Sequence, residues 1–153
     1  MDATASGHLA VVKWLIKRGS SLFSADSGGQ QPLHLAAVGG HLEVIKWIYQ
    51  YKSTALKSRD YQGNTAIMWA VFGGHMDVCV WLFEHGADIL SEDNEGRTLL
   101  IGAAASGQER IVGWLVQQGV DLQHEDAYGR DALSYVQEQD TISKPGLVNL
   151  LRP

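Results

Sequence analysis

The sequence predicts an all-α solenoid of stacked helix-turn-helix units joined by β-hairpin-like turns, and three observations predict it. Trp14, Trp47, Trp81 and Trp114 are spaced by 33, 34 and 33 residues. Gly7, Gly40, Gly74 and Gly107 keep those intervals, with His8, His41 and His75 directly after the first three and Gln108 after the fourth. Asp26, Asp60, Asp93 and Asp126 repeat by 34, 33 and 33, each followed three residues later by Gly29, Gly63, Gly96 or Gly129. A self-similar period of this length marks an architecture whose short units must stack, because none can bury its own apolar face.

Each unit opens on Asp-x-x-Gly, in which Asp accepts hydrogen bonds from the backbone ahead of it and Gly takes the positive φ of a tight hairpin. A short helix follows, "QPLHLAAVG" at 31–39, where Pro32 suits the first helical turn because its missing N–H would be unpaired there anyway. Thr65, Thr98 and Asp131 occupy the slot of Gln31 and offer side-chain oxygens to cap the helix start. Small residues (Ala36, Ala37, Ala70, Ala103, Ala104) let neighbouring first helices approach closely, and a glycine ends the helix.

The second helix begins at the His slot and carries apolar residues at helical spacing, Val44, Ile45, Trp47 and Ile48 in one unit and Val78, Cys79, Trp81 and Leu82 in the next. This pattern places the four in-register tryptophans between helix layers, where Trp47→Ala or Trp81→Ala should cost about 3 to 5 kcal/mol. Gly19, Gly86 and Gly119 close the helix as C-terminal caps. Lys52 holds that slot in the second unit, whose one extra residue falls between there and Asp60.

"QPLHLAAVGGHLEVIKWI" (31–48) resembles the ankyrin repeat, and "GADIL" (86–90) resembles that family's closing segment. The resemblance implies a single ankyrin repeat domain over 1–153: a partial repeat at 1–25, full repeats at 26–59, 60–92 and 93–125, and a C-terminal capping repeat at 126–153. It also implies a curved solenoid whose hairpin tips and first helices form a concave face that binds other proteins. Ala66, Leu99 and Ala132 stand where the family has proline, and Met68, Ile101 and Ser134 where it has histidine. Met1 falls within a first helix, which fits either a truncated cap or the edge of a longer polypeptide. In the last unit a polar first helix, "DALSYVQEQD", is followed by three extra turn residues before "PGLVNLL", with Leu150 in the tryptophan slot.

One cysteine, Cys79, excludes an internal disulfide framework, and no Asn-x-Ser/Thr acceptor occurs, which together favour an intracellular setting, cytoplasmic or nuclear. No apolar run reaches the eighteen or so residues of a membrane span, and the start lacks a signal-peptide layout. The net charge of -5 argues against nucleic acid. Residues 1–59 carry seven Lys/Arg against three Asp/Glu, and residues 60–153 carry five against fourteen. This asymmetry suits a monomer capable of weak head-to-tail self-association.

The chemistry-bearing residues point away from catalysis, metal and cofactor. The recurring histidines sit on units roughly 8 to 10 Å apart, whereas zinc ligands lie about 2 Å from the ion, so they serve as turn residues that bond backbone groups. Cys79 shares its slot with Val12, Ile45 and Val112 and is a small buried apolar residue. The Gly-Gly pairs fall in turns that the period explains. Once the repeated positions are subtracted, the variable ones remain as candidate partner-binding residues: Tyr61, Gln62, Asn64, Asn94, Glu95, Arg97, Tyr128 and Arg130 at the hairpins, and Val38, Met68 and Phe72 along the first helices. Phe72 beside Val38, with Met68 one turn earlier and Tyr61 above, would make an apolar floor under a polar, aromatic fringe. The expected function is non-enzymatic recognition of a partner protein or peptide, or the regulatory or targeting domain of a larger enzyme or channel.

Overall fold

The structure is a computed structural model that describes residues 1–138 and 145–152. It divides into two compact units, Met1–Ala87 and Asp88–Pro153. The first holds three helix pairs: α1 (Asp2–Ala5) with α2 (Leu9–Lys17), α3 (Pro32–Val38) with α4 (Leu42–Tyr51), and α5 (Ala66–Gly73) with α6 (Met76–Glu84). The second holds α7 (Leu99–Ala105) with α8 (Glu109–Gln117) and α9 (Ala132–Glu138) with α10 (Pro145–Leu151). Within the first unit α3 packs on both α1 and α5; within the second, α7 packs on α9 and α8 on α10. The fold is all-α, and among the described residues extended pairing is confined to single antiparallel bridges at the hairpin necks, Arg59 with Thr65 and Glu92 with Thr98.

The helix starts use several devices. Pro32 sits at the first turn of α3, and His34 Nδ1 accepts from the Gln31 N–H at 2.9 Å. That nitrogen therefore holds a lone pair, which leaves Nε2–H to donate to the Ser58 carbonyl at 3.2 Å. Thr98 Oγ1 accepts from the Ile101 N–H at 3.3 Å and Asp131 Oδ1 from the Ser134 N–H at 2.8 Å, as expected of caps. Thr65 departs from that expectation. Its hydroxyl is buried without a hydrogen-bond partner, the residue being held instead by its backbone bridge to Arg59.

At the C-terminal ends, Gly19 and Gly86 take φ of +92° and +91°, and the residue after each donates back to the helix, Ser20 to the Leu15 carbonyl and Ala87 to that of Leu82. Lys52, in the same slot, is extended (φ -159°). A 3-10 turn, Ser53–Lys57, then carries the chain on towards Asp60 and takes up the extra residue.

The recurrence of Gly-His has a direct structural cause. His41 Nε2 donates to the Ala5 carbonyl at 2.7 Å and His75 Nε2 to the Val38 carbonyl at 3.0 Å, so each ring ties its own turn to the end of the first helix in the preceding pair. The His75 ring lies where a Cβ on Gly40 would have to be, and the His41 ring lies likewise against Gly7. Glycine and histidine recur together because one leaves the space that the other fills.

The core lies in two layers. Ala36, Ala37, Ala70, Ala103 and Ala104 are buried along the first helices, and Val44, Ile45, Ile48, Val78, Cys79, Leu82, Ile111, Val112 and Leu115 along the second. The tryptophans are not sandwiched among them. Trp14 is 54% exposed, and Trp47, Trp81 and Trp114 are half-buried. An indole is too large for the tight layer that Val, Ile and Cys fill, so the rings lie along its flank against their neighbours. Trp47 meets Tyr51 at 4.6 Å between centroids, Trp81 stacks on His85 at 3.9 Å, and Tyr49 meets Trp81 edge-on at 5.4 Å. The polar first helix of the last pair ends at Glu138, and the lengthened turn expected after it lies outside the described residues.

Two outcomes follow from this layering. Ile45→Ala removes a side chain from full burial and should cost about 2 to 5 kcal/mol, whereas half-buried Trp47→Ala should cost less than the 3 to 5 or so of a fully buried ring. Urea unfolding of both variants checks the order, and a larger loss at Trp47 would return the indoles to the core. His34 is buried, and burial holds its pKa below the ordinary 6.5, against opposing contributions from the Ser58 carbonyl, Asp60 and Asp26. The unfolded chain thus takes up a proton that the folded chain resists. The stabilisation is complete above pH 6.5 and is lost as the pH falls below it towards the folded value. Thermal unfolding of the wild type should decline through that window, and His34→Gln should lack that part of the slope.

Candidate functional site

Each hairpin is built on one aspartate. Asp26 Oδ1 accepts from the N–H groups of Gly28 and Gln30, Asp60 from Gln62 and Asn64, Asp93 from Glu95 and Arg97, and Asp126 from Tyr128 and Arg130, all at 2.8 to 3.0 Å. With its backbone closed in this way, the tip presents the intervening side chains on a fixed frame. Tips also bond to one another inside each unit, Tyr61 N–H to the Gly28 carbonyl at 3.0 Å and Ala127 N–H to the Glu95 carbonyl at 2.8 Å.

In the first unit Tyr61 is 71% exposed and rests on Gly29, where a Cβ would meet its ring. Gln62 is exposed beside it. Val38 and Phe72 are half-buried on α3 and α5. Two other candidates do not reach the surface. Asn64 is 2% exposed and uses its Nδ2 on Asp60 Oδ2 and Gln62 Oε1, so it serves the turn. Met68 is 3% exposed and packs beneath the patch as core, because that helix position faces inward where the residue is large and apolar.

Trp69 takes the place that sequence reasoning gave to Met68. Its indole lies edge-on to Phe72 at 5.7 Å and donates Nε1–H to Asp60 Oδ2 at 2.9 Å, which couples the floor of the patch to the hairpin above. The signal was present in the sequence. Trp69 is the one tryptophan outside the 33–34 residue register and stands nine residues after Asp60, at a position occupied by Leu35, Gly102 and Tyr135 in the other units. Subtracting the repeated positions would have left it among the variable ones. Leu35, Val38, Trp69 and Phe72 thus form a half-buried apolar strip on two adjacent helices, with Tyr61 and Gln62 at its rim.

The second unit presents a different surface. Asn94 is exposed, Glu95 and Arg97 are half-buried, and Tyr128 is 65% exposed. Arg97 Nε bonds Asp93 Oδ2 at 2.7 Å and its Nη1 lies 3.4 Å from Glu95. The Arg130 guanidinium lies over both Tyr128 (5.0 Å) and Tyr135 (4.3 Å) and donates to Asp126 Oδ2 at 3.2 Å. Tyr135 O–H donates to the same oxygen at 2.6 Å. Burial alone would push the Asp126 carboxyl up, but hydrogen bonds from Tyr135, the Arg130 and Tyr128 backbone and the Arg130 side chain outweigh it and hold the pKa down at about 2. Burial, together with the bond to Asp126, pushes the Tyr135 phenol up to about 12. The arginines here are engaged with carboxylates and rings.

Nucleophile chemistry finds poor footing in this arrangement. Burial, then Asp77, pushes the Cys79 thiol up to about 12, so it carries no thiolate near neutral pH. Among the described residues no three His, Cys, Asp or Glu side chains converge as metal ligands, and no helix is long and apolar enough to cross a membrane.

The family model for ankyrin repeats in three copies matches residues 1–93, and the model for a single ankyrin repeat matches residues 95–127. No curated protein matches the chain. Ankyrin repeats are in general protein–protein interaction modules and are typically non-catalytic. Period, hairpin aspartates, paired helices and the matched models together cover most of the sequence, and the chain belongs to the ankyrin repeat family.

Proposed function

We propose that the chain is a non-enzymatic recognition module that binds a partner protein or peptide across its hairpin tips and first helices, and that it works inside the cell as an adaptor or scaffold. The observation that carries this reading is the strip of Leu35, Val38, Trp69 and Phe72 under Tyr61. A Trp, a Phe and a Tyr brought together on a rigid frame, ringed by polar side chains, have the composition of a binding hot spot. The frame matters as much as the rings. Trp69 is held by Asp60 and Tyr61 is seated on Gly29, so little side-chain freedom is lost when a partner docks. Asn94, Glu95, Arg97, Tyr128 and Arg130 supply a second, polar and aromatic set of contacts in the other unit. The single cysteine and the absence of glycosylation acceptors favour a reducing compartment.

Capture from the source cell by wild-type protein and by a Tyr61→Ala/Phe72→Glu variant tests the assignment. The double variant should lose the polypeptides that the wild type retains while remaining cooperatively folded, with a melting temperature lowered only modestly because Phe72 is half-buried and Tyr61 is exposed. Retention of the same polypeptides by the variant would remove this surface from the binding site.

A further inference from the structure

The strip under Tyr61 lies in a part of the chain that carries no formal charge. Residues 27–42 run through one hairpin, α3 and the turn into α4, and residues 61–76 run through the next hairpin, α5 and the turn into α6. Neither stretch contains an Asp, Glu, Lys or Arg. The repeat itself does not require this. The corresponding stretch 94–109 carries Glu95, Arg97 and Glu109, and 127–142 carries Arg130, Asp131, Glu138 and Asp140.

The charges that border the two stretches are engaged with the protein's own groups or stand on other elements. Asp26 closes its hairpin through Oδ1. Asp60, 6% exposed, accepts from the N–H groups of Gln62 and Asn64 with one oxygen and from Asn64 Nδ2 and Trp69 Nε1 with the other. Arg59 Nη1 donates to the Gly63 carbonyl at 2.7 Å. Glu43 and Asp77 stand in the first turns of the second helices, Glu43 pairing with Lys46 at 2.8 Å. A charged side chain docked on Leu35, Val38, Trp69 and Phe72 would therefore shed water and meet no opposite charge. An apolar or aromatic side chain bears no such cost. At the rim, the exposed Gln62 side chain accepts from Asn64 at Oε1 and keeps its Nε2 donors for a neutral acceptor such as a backbone carbonyl.

Resting on the reading of this strip as the binding site, we infer that its occupant is an uncharged peptide segment, with apolar and aromatic side chains seated on the strip and neutral backbone groups at the rim. Selection works by exclusion. A surface without countercharge rejects Asp, Glu, Lys and Arg at the contacting positions, which is discrimination against wrong partners as much as attraction to the right one. Binding then involves no ion pair, so salt has nothing to screen.

Panning a phage-displayed library of random peptides on the wild type and on Tyr61→Ala/Phe72→Glu, both shown to be folded by cooperative melts, tests the inference. Peptides retained by the wild type and lost by the double variant are those that bind the strip. Their shared positions should hold aromatic, aliphatic or neutral polar residues, and synthetic copies should weaken by no more than about twofold between roughly 50 and 500 mM NaCl. Asp or Lys placed at a shared apolar position should weaken binding by at least about tenfold. Strip-dependent peptides that share charged positions, or that weaken by more than about twofold over that salt range, would overturn the uncharged occupant and leave the strip as the binding site. If no retained peptide is lost on the double variant, the strip is not the site, and the inference falls with it.

Discussion

A helix of seven to ten residues is too short to be stable by itself in water, and a pair of them has too little apolar surface to enclose a core. Everything else in this protein answers that constraint. The core residues of the second helices, such as Val44, Ile45, Val78, Leu82, Ile111 and Leu115, are buried only because helix pairs lie against one another, and the buried alanines of first helices, such as Ala36, Ala70 and Ala103, let them come close enough to do so. The chain further ties successive pairs through polar bonds placed at the same site each time, His41 to the carbonyl of Ala5 and His75 to that of Val38. Stability is therefore a property of neighbours, which is the general behaviour of repeat proteins.

The aspartate hairpins solve a second problem created by the first. Stacking short pairs leaves one connecting loop per unit at the surface, and a loose loop would be a poor recognition surface. Asp60 closes its turn with two backbone bonds and then, through its other oxygen, holds Asn64 and Trp69. Asp126 does the same for its backbone and holds Arg130 and Tyr135. The first-helix residue that meets the aspartate is Trp69 in one case and Tyr135 in the other. The anchor is shared, and the side chain hung on it differs. Folding and recognition are thereby separated along the sequence while remaining coupled in space.

That separation explains what could be read in advance. The fold was legible because period, turn chemistry and helix spacing agree at Asp26, Asp60, Asp93 and Asp126, and again at the Gly-His turns. The burial of Cys79 was legible from its register with Val12, Ile45 and Val112. The placement of the tryptophans was not, since helical spacing says which side of a helix a residue occupies and not whether a ring of that size fits a layer built for Val and Ile. The candidate site was legible in part. Tyr61 and Tyr128 are exposed at the tips, and Val38 and Phe72 lie on the surface strip. Met68 and Trp69 are neighbours in sequence about 100° apart around α5, one buried and the other half-buried, and assigning the wrong one to the surface is a one-residue error in helix phase. The unpartnered Thr65 hydroxyl has no sequence signal, because Thr98 in the same slot does cap its helix.

The dependence of each pair on its neighbours is tested most directly by circular dichroism of residues 26–59 as an isolated peptide. This segment contains a complete hairpin, α3, α4 and the 3-10 turn, but none of the surfaces that cover them. The account predicts a disordered spectrum without a cooperative thermal transition under conditions where the full chain is folded. A helical spectrum that melts cooperatively would show that one pair is stable alone, and would contradict it.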